Sequence, residues 1–269
     1  MIQSKADTYK KYAISAILAK FAYSHPDTLS DLWFKMRDSK RDSISNVFKG
    51  VKEVPEFYSS KETGAQAFSI IKNNILYIVF RGTESSQDVV INLDIGRVPL
   101  LPNNKDILVH QGFLKQFNSL KDAILKKIKD KFLNINEIIC IGHSLGGALA
   151  TLAAGHLADL YKNDHEVICH TFGSPRVGNK QFVRWFQENV KSPENARIIN
   201  HADPVCQIPL SSRFEHVSDA ICIMDNFTVK DLPDTKWYWR LLGFRSKCCN
   251  PVLPHTCDQY IERLIKIYR

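Results

Sequence analysis

Ser144, set between glycines in Gly142-His143-Ser144-Leu145-Gly146, is the residue of this chain with the clearest chemical meaning. On its own G-x-S-x-G says little, because ordinary glycine and serine frequencies would place it in roughly one chain in ten by chance. Its setting says more. The apolar stretch Glu137–Ile141 runs into it as a strand, and small residues from Leu145 to about Leu160 run out of it as a helix. A turn of that kind holds the serine in a strained conformation with its hydroxyl presented. Strand and helix then approach so closely that a Cβ two residues before or after the serine would clash, which accounts for Gly142 and Gly146. The turn also puts Ser144 at a helix N-terminus, where the dipole favours a developing oxyanion. The N–H of Leu145 is then a candidate donor to that oxyanion. A glycine-rich turn with a solvated serine is the bland alternative, and the strand–helix context argues against it.

A serine hydroxyl near neutral pH needs a histidine to take its proton and a carboxylate to orient that histidine. After an elbow of this type the chain order is serine, acid, histidine. Asp203 follows the strand Ala196–Asn200 and precedes Pro204, at a strand end of the kind that presents site residues; an ordinary Asp-Pro turn is the competing reading. His201, His216 and His255 come late enough to be the base, and His201 is too close in sequence to Asp203 for comfortable pairing.

The surrounding pattern supplies elements to position these groups. Residues 1–50 read as helical and basic, with Tyr9, Tyr12, Ile17 and Phe21 at helical spacing. Two strands, Ala67–Ile71 and Ile75–Arg81, flank the turn Asn73-Asn74. Residues 84–108 look irregular, since Pro99 and Pro102 argue against a long helix. A helix runs from about Gln111 to Phe132 with Phe113, Phe117, Leu120, Ile124 and Ile128 on one face. Further along come the strand Val167–Phe172, the helix Lys180–Asn189 and a closing helix His255–Ile267. Strands alternating with helices imply a mainly parallel central sheet with helices on both faces. Neither a repeat nor a low-complexity linker interrupts the chain, so residues 1–269 are expected to form one domain, with 1–50 as a helical extension packed on it.

Five segments, in order, resemble the class 3 lipases, the fungal triacylglycerol lipase group. They are Val79-Phe80-Arg81-Gly82-Thr83, Val109-His110-Gln111-Gly112-Phe113, Gly142-His143-Ser144-Leu145-Gly146-Gly147, Phe172-Gly173-Ser174-Pro175-Arg176-Val177-Gly178-Asn179 and Asn200-His201-Ala202-Asp203-Pro204-Val205. The resemblance implies an α/β-hydrolase fold and a serine carboxylester hydrolase acting on lipid esters, acylglycerols foremost, without cofactor or metal. It implies Ser144 as nucleophile, Asp203 as acid, His255 as base and Thr83 as the second oxyanion donor beside Leu145. His216 resembles a structural histidine of the family. A lid is implied after Thr83, over about residues 84–101, although Val89 stands where the family's lid carries tryptophan. A phospholipase or short-chain esterase on the same scaffold is the nearest rival. A hydrolase-like interaction protein without activity is the rival from another class, and the intact Ser144, Asp203 and His255 argue against it.

Bulk properties bound the partners. The 269 residues carry 36 Lys and Arg against 28 Asp and Glu, a net charge of +8. That excess favours peripheral contact with an anionic membrane or lipid droplet surface. Nucleic acid is not expected, because no zinc-finger spacing, RNP signature or basic-region heptad is present. Seven cysteines, an odd number, and an N-terminal apolar stretch ended by Lys20 fit reduced thiols and a cytoplasmic or peripheral-membrane location, with secretion left open. Cys248, Cys249, His255 and Cys257 lie near one another, but no C-x-x-C spacing supports a zinc site. The run Trp237–Phe244 is a candidate acyl pocket or membrane contact, with core packing an equal alternative.

Overall fold

Alternation along the central strands decides the architecture, because successive side chains leave a strand on opposite faces. Leu76, Ile78 and Phe80, like Ile138 and Cys140, enter one apolar core, while Val79, Ile139 and Ile141 enter a second. Both faces are therefore apolar and both need helices. The structure is a computed structural model that describes residues 5–37, 46–83, 96–131, 134–162, 164–201, 203–232 and 255–268.

The main sheet contains β1 (Glu56–Ser59), β2 (Gln66–Lys72), β3 (Ile75–Phe80), β6 (Glu137–His143), β7 (Glu166–Phe172), β8 (Ala196–Asn200), β9 (Ala220–Ile223) and β10 (Val229–Leu232), in that spatial order. β3, β6, β7, β8 and β9 are parallel, and antiparallel strands flank them at both edges. On one face lie α3 (Gln111–Lys131), α4 (Leu145–Tyr161) and α5 (Lys180–Asn189). The other is covered by α1 (Lys5–Phe21), α2 (Pro26–Met36) and α6 (Cys257–Tyr268). The mainly parallel sheet with helices on both faces is thus present. The five apolar residues expected on one face of α3 are all buried.

Within the stretch 84–108 expected to be irregular, the described part is largely strand. β4 (Arg97–Leu101) and β5 (Asn104–His110) form a separate two-stranded hairpin. Pro99 is tolerated because β4 lies at a sheet edge, where a missing N–H leaves no ladder partner unmatched. Of the cover expected over 84–101, residues 97–101 are strand paired with β5. Residues 84–95 lie outside the described residues, as do Trp237–Phe244, Cys248 and Cys249.

The N-terminal helices are part of a layer. α1 packs along α6 and reaches β6, with Ala13, Ala16, Leu18 and Ala19 buried. An ion pair joins Lys20 of α1 to Asp258 of α6, and Lys11 meets Glu194 at 2.7 Å. Among the described residues, no helix is long and apolar enough to cross a membrane. Cys140, Cys169, Cys206, Cys222 and Cys257 are free thiols.

Candidate active site

β6 ends at His143 and α4 begins at Leu145, so a single residue makes the turn. Ser144 takes φ 57° and ψ −130°, a conformation that costs on the order of 1–3 kcal/mol for a residue with a side chain. Its N–H donates to the Phe172 carbonyl at 2.9 Å, and its own carbonyl accepts from Gly147 N at 2.9 Å. The close approach predicted for the flanking glycines is real. A Cβ on Gly142 would collide with the Gly146 backbone, and one on Gly146 would collide with the Phe80 carbonyl. Small residues at 142 and 146 are what let helix, elbow and β3 share this space.

Asp203 follows β8 and is almost completely buried. Its carboxylate is well supplied with donors. His255 Nδ1 lies 2.9 Å from both oxygens, Val205 N donates to Oδ1 at 2.9 Å, and the Tyr260 hydroxyl donates to Oδ2 at 2.5 Å. Burial, with Asp203 beside it, pushes the Tyr260 hydroxyl well above its usual range, so it stays a donor. The same hydroxyl oxygen accepts from Asn200 N at 3.0 Å, which ties α6 to the end of β8. A carboxylate only accepts, so His255 must carry its proton on Nδ1, leaving a lone pair on Nε2. Nε2 of His255 and Oγ of Ser144 are both buried with no hydrogen-bond partner among the described residues. An unpaired acceptor and an unpaired hydroxyl are the two groups a proton transfer requires.

Thr83 follows Gly82, whose Cα packs against the elbow. A Cβ there would lie 3.3 Å from Ser144 Cβ and 2.6 Å from the His143 carbonyl. Of the residues expected to stabilise an oxyanion, Leu145 follows Ser144 at the start of α4, and Thr83 adjoins Gly82, which packs on the elbow. His143 holds its ring against His255, with centroids 4.5 Å apart.

The other late histidines go elsewhere. His201 Nδ1 lies 3.4 Å from Asp225 at the surface. His216 is buried and its Nε2 donates to the Cys206 carbonyl at 2.7 Å, bracing the loop behind Asp203. Burial, then Arg197 and Arg176, hold His216 well below the ordinary imidazole range, so it stays neutral there. Of the three histidines that sequence order allows, His255 is the one on Asp203.

Two contributors escaped sequence reasoning. Gly173 has φ +59°, and a Cβ there would lie 2.7 Å from Asp203 Oδ2 and 2.9 Å from His255 Nδ1. Its place in the Phe172-Gly173-Ser174-Pro175 segment was the available signal. Tyr23, whose hydroxyl is 2.9 Å from His143 Nδ1, gave none.

The family model described as lipase (class 3) matches residues 77–212, about half of the chain and all of the elbow and acid segments. The chain belongs to the class 3 lipase family. It is 29% identical over 190 residues to the lipase of Rhizomucor miehei, covering 67% of this chain and 49% of that protein. It is 28% identical over 200 residues to the chloroplastic phospholipase A(1) DAD1 of Arabidopsis thaliana, covering 66% and 44%. The secreted mono- and diacylglycerol lipase A of Penicillium cyclopium is 29% identical over 206 residues, covering 74% and 65%. This class 3 lipase chain thus spans about half to two thirds of the length of the curated relatives it matches. In fold it resembles the triacylglyceride lipase of Rhizomucor miehei, with TM-score 0.72, 22% identity and 96% and 94% of the two chains covered. The Lip2 lipase of Yarrowia lipolytica superposes with TM-score 0.72 at 20% identity, covering 94% of each chain. The α/β-hydrolase fold of those lipases is the fold of this chain.

Proposed function

We propose that this chain hydrolyses carboxylic esters of lipids, acylglycerols foremost, through an acyl intermediate on Ser144. The observation that carries the proposal is the pairing of His255 Nδ1 with both Asp203 oxygens beside a serine on a strained elbow. In the proposed sequence His255 Nε2 takes the Ser144 proton as Oγ attacks the ester carbonyl. The N–H of Leu145, with Thr83, receives the negative charge of the tetrahedral intermediate. Asp203 stabilises the imidazolium that forms, and His255 then protonates the leaving alcohol. Water repeats the steps to release the fatty acid. Acylglycerol as substrate rests on the relatives named lipase and mono- and diacylglycerol lipase. The relative named phospholipase A(1) makes glycerophospholipid the second substrate to test.

The test is hydrolysis of a chain-length series of nitrophenyl esters, of mono-, di- and triglycerides, and of phosphatidylcholine, with Ser144→Ala as control. Wild type should turn over esters, a fluorophosphonate should label Ser144, and Ser144→Ala should lose on the order of 10⁶ in turnover while remaining folded. A Ser144→Ala variant within about tenfold of wild type would sink the mechanism.

A further inference from the structure

His143 is more than a spacer between Gly142 and Ser144. One ring nitrogen, Nε2, is bonded to the backbone carbonyl of His255, and the other, Nδ1, lies 2.9 Å from the Tyr23 hydroxyl. A carbonyl can only accept, so Nε2 carries the proton, Nδ1 carries a lone pair, and Tyr23 is the donor to it. Each group in the chain has one role available to it. Tyr23 itself is held from behind, since the Arg81 guanidinium lies 5.9 Å from its ring centroid and bonds Gln66 Oε1 at 2.7 Å. Its hydroxyl also lies against Gly82, beside Ser144 Cβ, so this chain borders the site.

We infer that Tyr23 and His143 are positioning residues that fix the backbone of His255, and through it the aim of Nε2 at Ser144. The inference rests on the hydrolase reading above. Asp203 holds only one atom of the imidazole, Nδ1, so that contact alone does not set the direction of Nε2. A second fixed point is needed, and the His255 carbonyl on His143 supplies it. The stacked His143 ring, centroid to centroid 4.5 Å and tilted 33°, lies against one face of the imidazole. His255 stands just before the last helix and outside the strands described above, and the bond from His143 to its carbonyl restrains its main chain. Burial, then the neighbouring His255, keeps His143 well below the ordinary imidazole range, so it stays neutral. A neutral ring is the one that tolerates an imidazolium stacked on it when His255 takes the serine proton.

Three variants test the assignment. Tyr23→Phe removes one hydroxyl. His143→Phe keeps the ring and removes both hydrogen bonds. His143→Gln keeps an amide N–H for the carbonyl and an amide oxygen for Tyr23. Misplacing a catalytic group by about 1 Å costs up to on the order of 10²-fold. His143→Phe should therefore lose about that much in kcat with little change in KM. Tyr23→Phe should lose about tenfold, and His143→Gln should recover most of the loss. The rate of fluorophosphonate labelling of Ser144 should fall in parallel, a readout that needs no knowledge of the natural ester. The far-downfield proton NMR line of His255 Nδ1–H should broaden by exchange in Tyr23→Phe while thermal melting is unchanged. Tyr23→Phe with wild-type labelling rate and an unchanged downfield line would overturn the inference while leaving the hydrolase reading intact. So would a loss in His143→Gln as large as in His143→Phe. No labelling of the wild type would overturn the hydrolase reading and this inference with it.

Discussion

Gly173→Ala should damage the site without dismantling the fold. Two penalties act on the new methyl group. The first is backbone: at φ +59° a side chain costs on the order of 1–2 kcal/mol. The second is overlap, because the Cβ would stand 2.7 Å from Asp203 Oδ2 and 2.9 Å from His255 Nδ1, where ordinary contact begins at 3.4 Å. Shortfalls of about 0.7 and 0.5 Å must be relieved by moving one of those side chains. Asp203 resists, because Val205 N and Tyr260 hold its two oxygens. The motion falls on the Asp203–His255 contact, and a shift of that size should cost between about tenfold and 10²-fold in kcat. Gly64 provides the control. It has φ +70°, and a Cβ added there would meet nothing within 4 Å, so Gly64→Ala carries the backbone penalty alone. Urea denaturation should show the backbone loss in both variants, with Gly173→Ala lower by a further ~1–2 kcal/mol for overpacking. Ester turnover and fluorophosphonate labelling should fall in Gly173→Ala only. Equal activity in the two variants would refute the packing argument.

Acid should destabilise the fold through His170, which burial pushes down to about 4 from an ordinary 6.5. The unfolded chain takes up this proton below about pH 6.5 and the folded chain does not, so stability is full above 6.5 and lost as pH falls towards 4. The shift corresponds to about 3 kcal/mol in full and about 2 kcal/mol by pH 5. His170 bonds Ser15 Oγ at 2.9 Å and the Glu194 carbonyl at 3.0 Å, contacts that glutamine can imitate. The loss of stability between pH 7.5 and 5 should therefore shrink by about 2 kcal/mol in His170→Gln, the remainder belonging to the buried His143 and His216, and an unchanged loss would refute the assignment. The net charge of +8 predicts firmer adsorption to anionic than to neutral vesicles, weakened by salt. On α3, Lys115 is already paired with Glu62, Lys126 with Asp130, Lys127 with Glu53 and Glu56, and Lys131 with Glu53, so charge reversal there should change co-sedimentation little. A large loss on that reversal would instead place the contact on α3.

What was legible in the sequence was local. β6, the elbow and α4 are contiguous, so strand periodicity, paired glycines and a small-residue helix describe them without tertiary information. α5 and β8 have the bounds expected for the same reason. The misses are short or distant. β1, β9 and β10 have four residues each, too few for alternation to register, and β4 hides behind Pro99. Tyr23 meets His143 across 120 residues of chain, and nothing in the composition around Tyr23 announces that contact. Gly173 was visible as part of a motif, but only the fold shows that its missing side chain makes room for the Asp203–His255 pair.

The layer shared by α1 and α6 ties the site to the timing of synthesis. The residues of the elbow are complete once residue 147 has been made, and Asp203 follows, yet its partners His255 and Tyr260 are translated later still. α6 then docks on α1, a segment made before any strand of the sheet. At about 5–20 residues per second, the interval between Ser144 and His255 is roughly 6–22 s. Throughout it the growing chain holds Ser144 without His255. On the proposed mechanism a chain ending before His255 would lack the base, so hydrolysis would have to wait until His255 has been made and α6 has docked on α1.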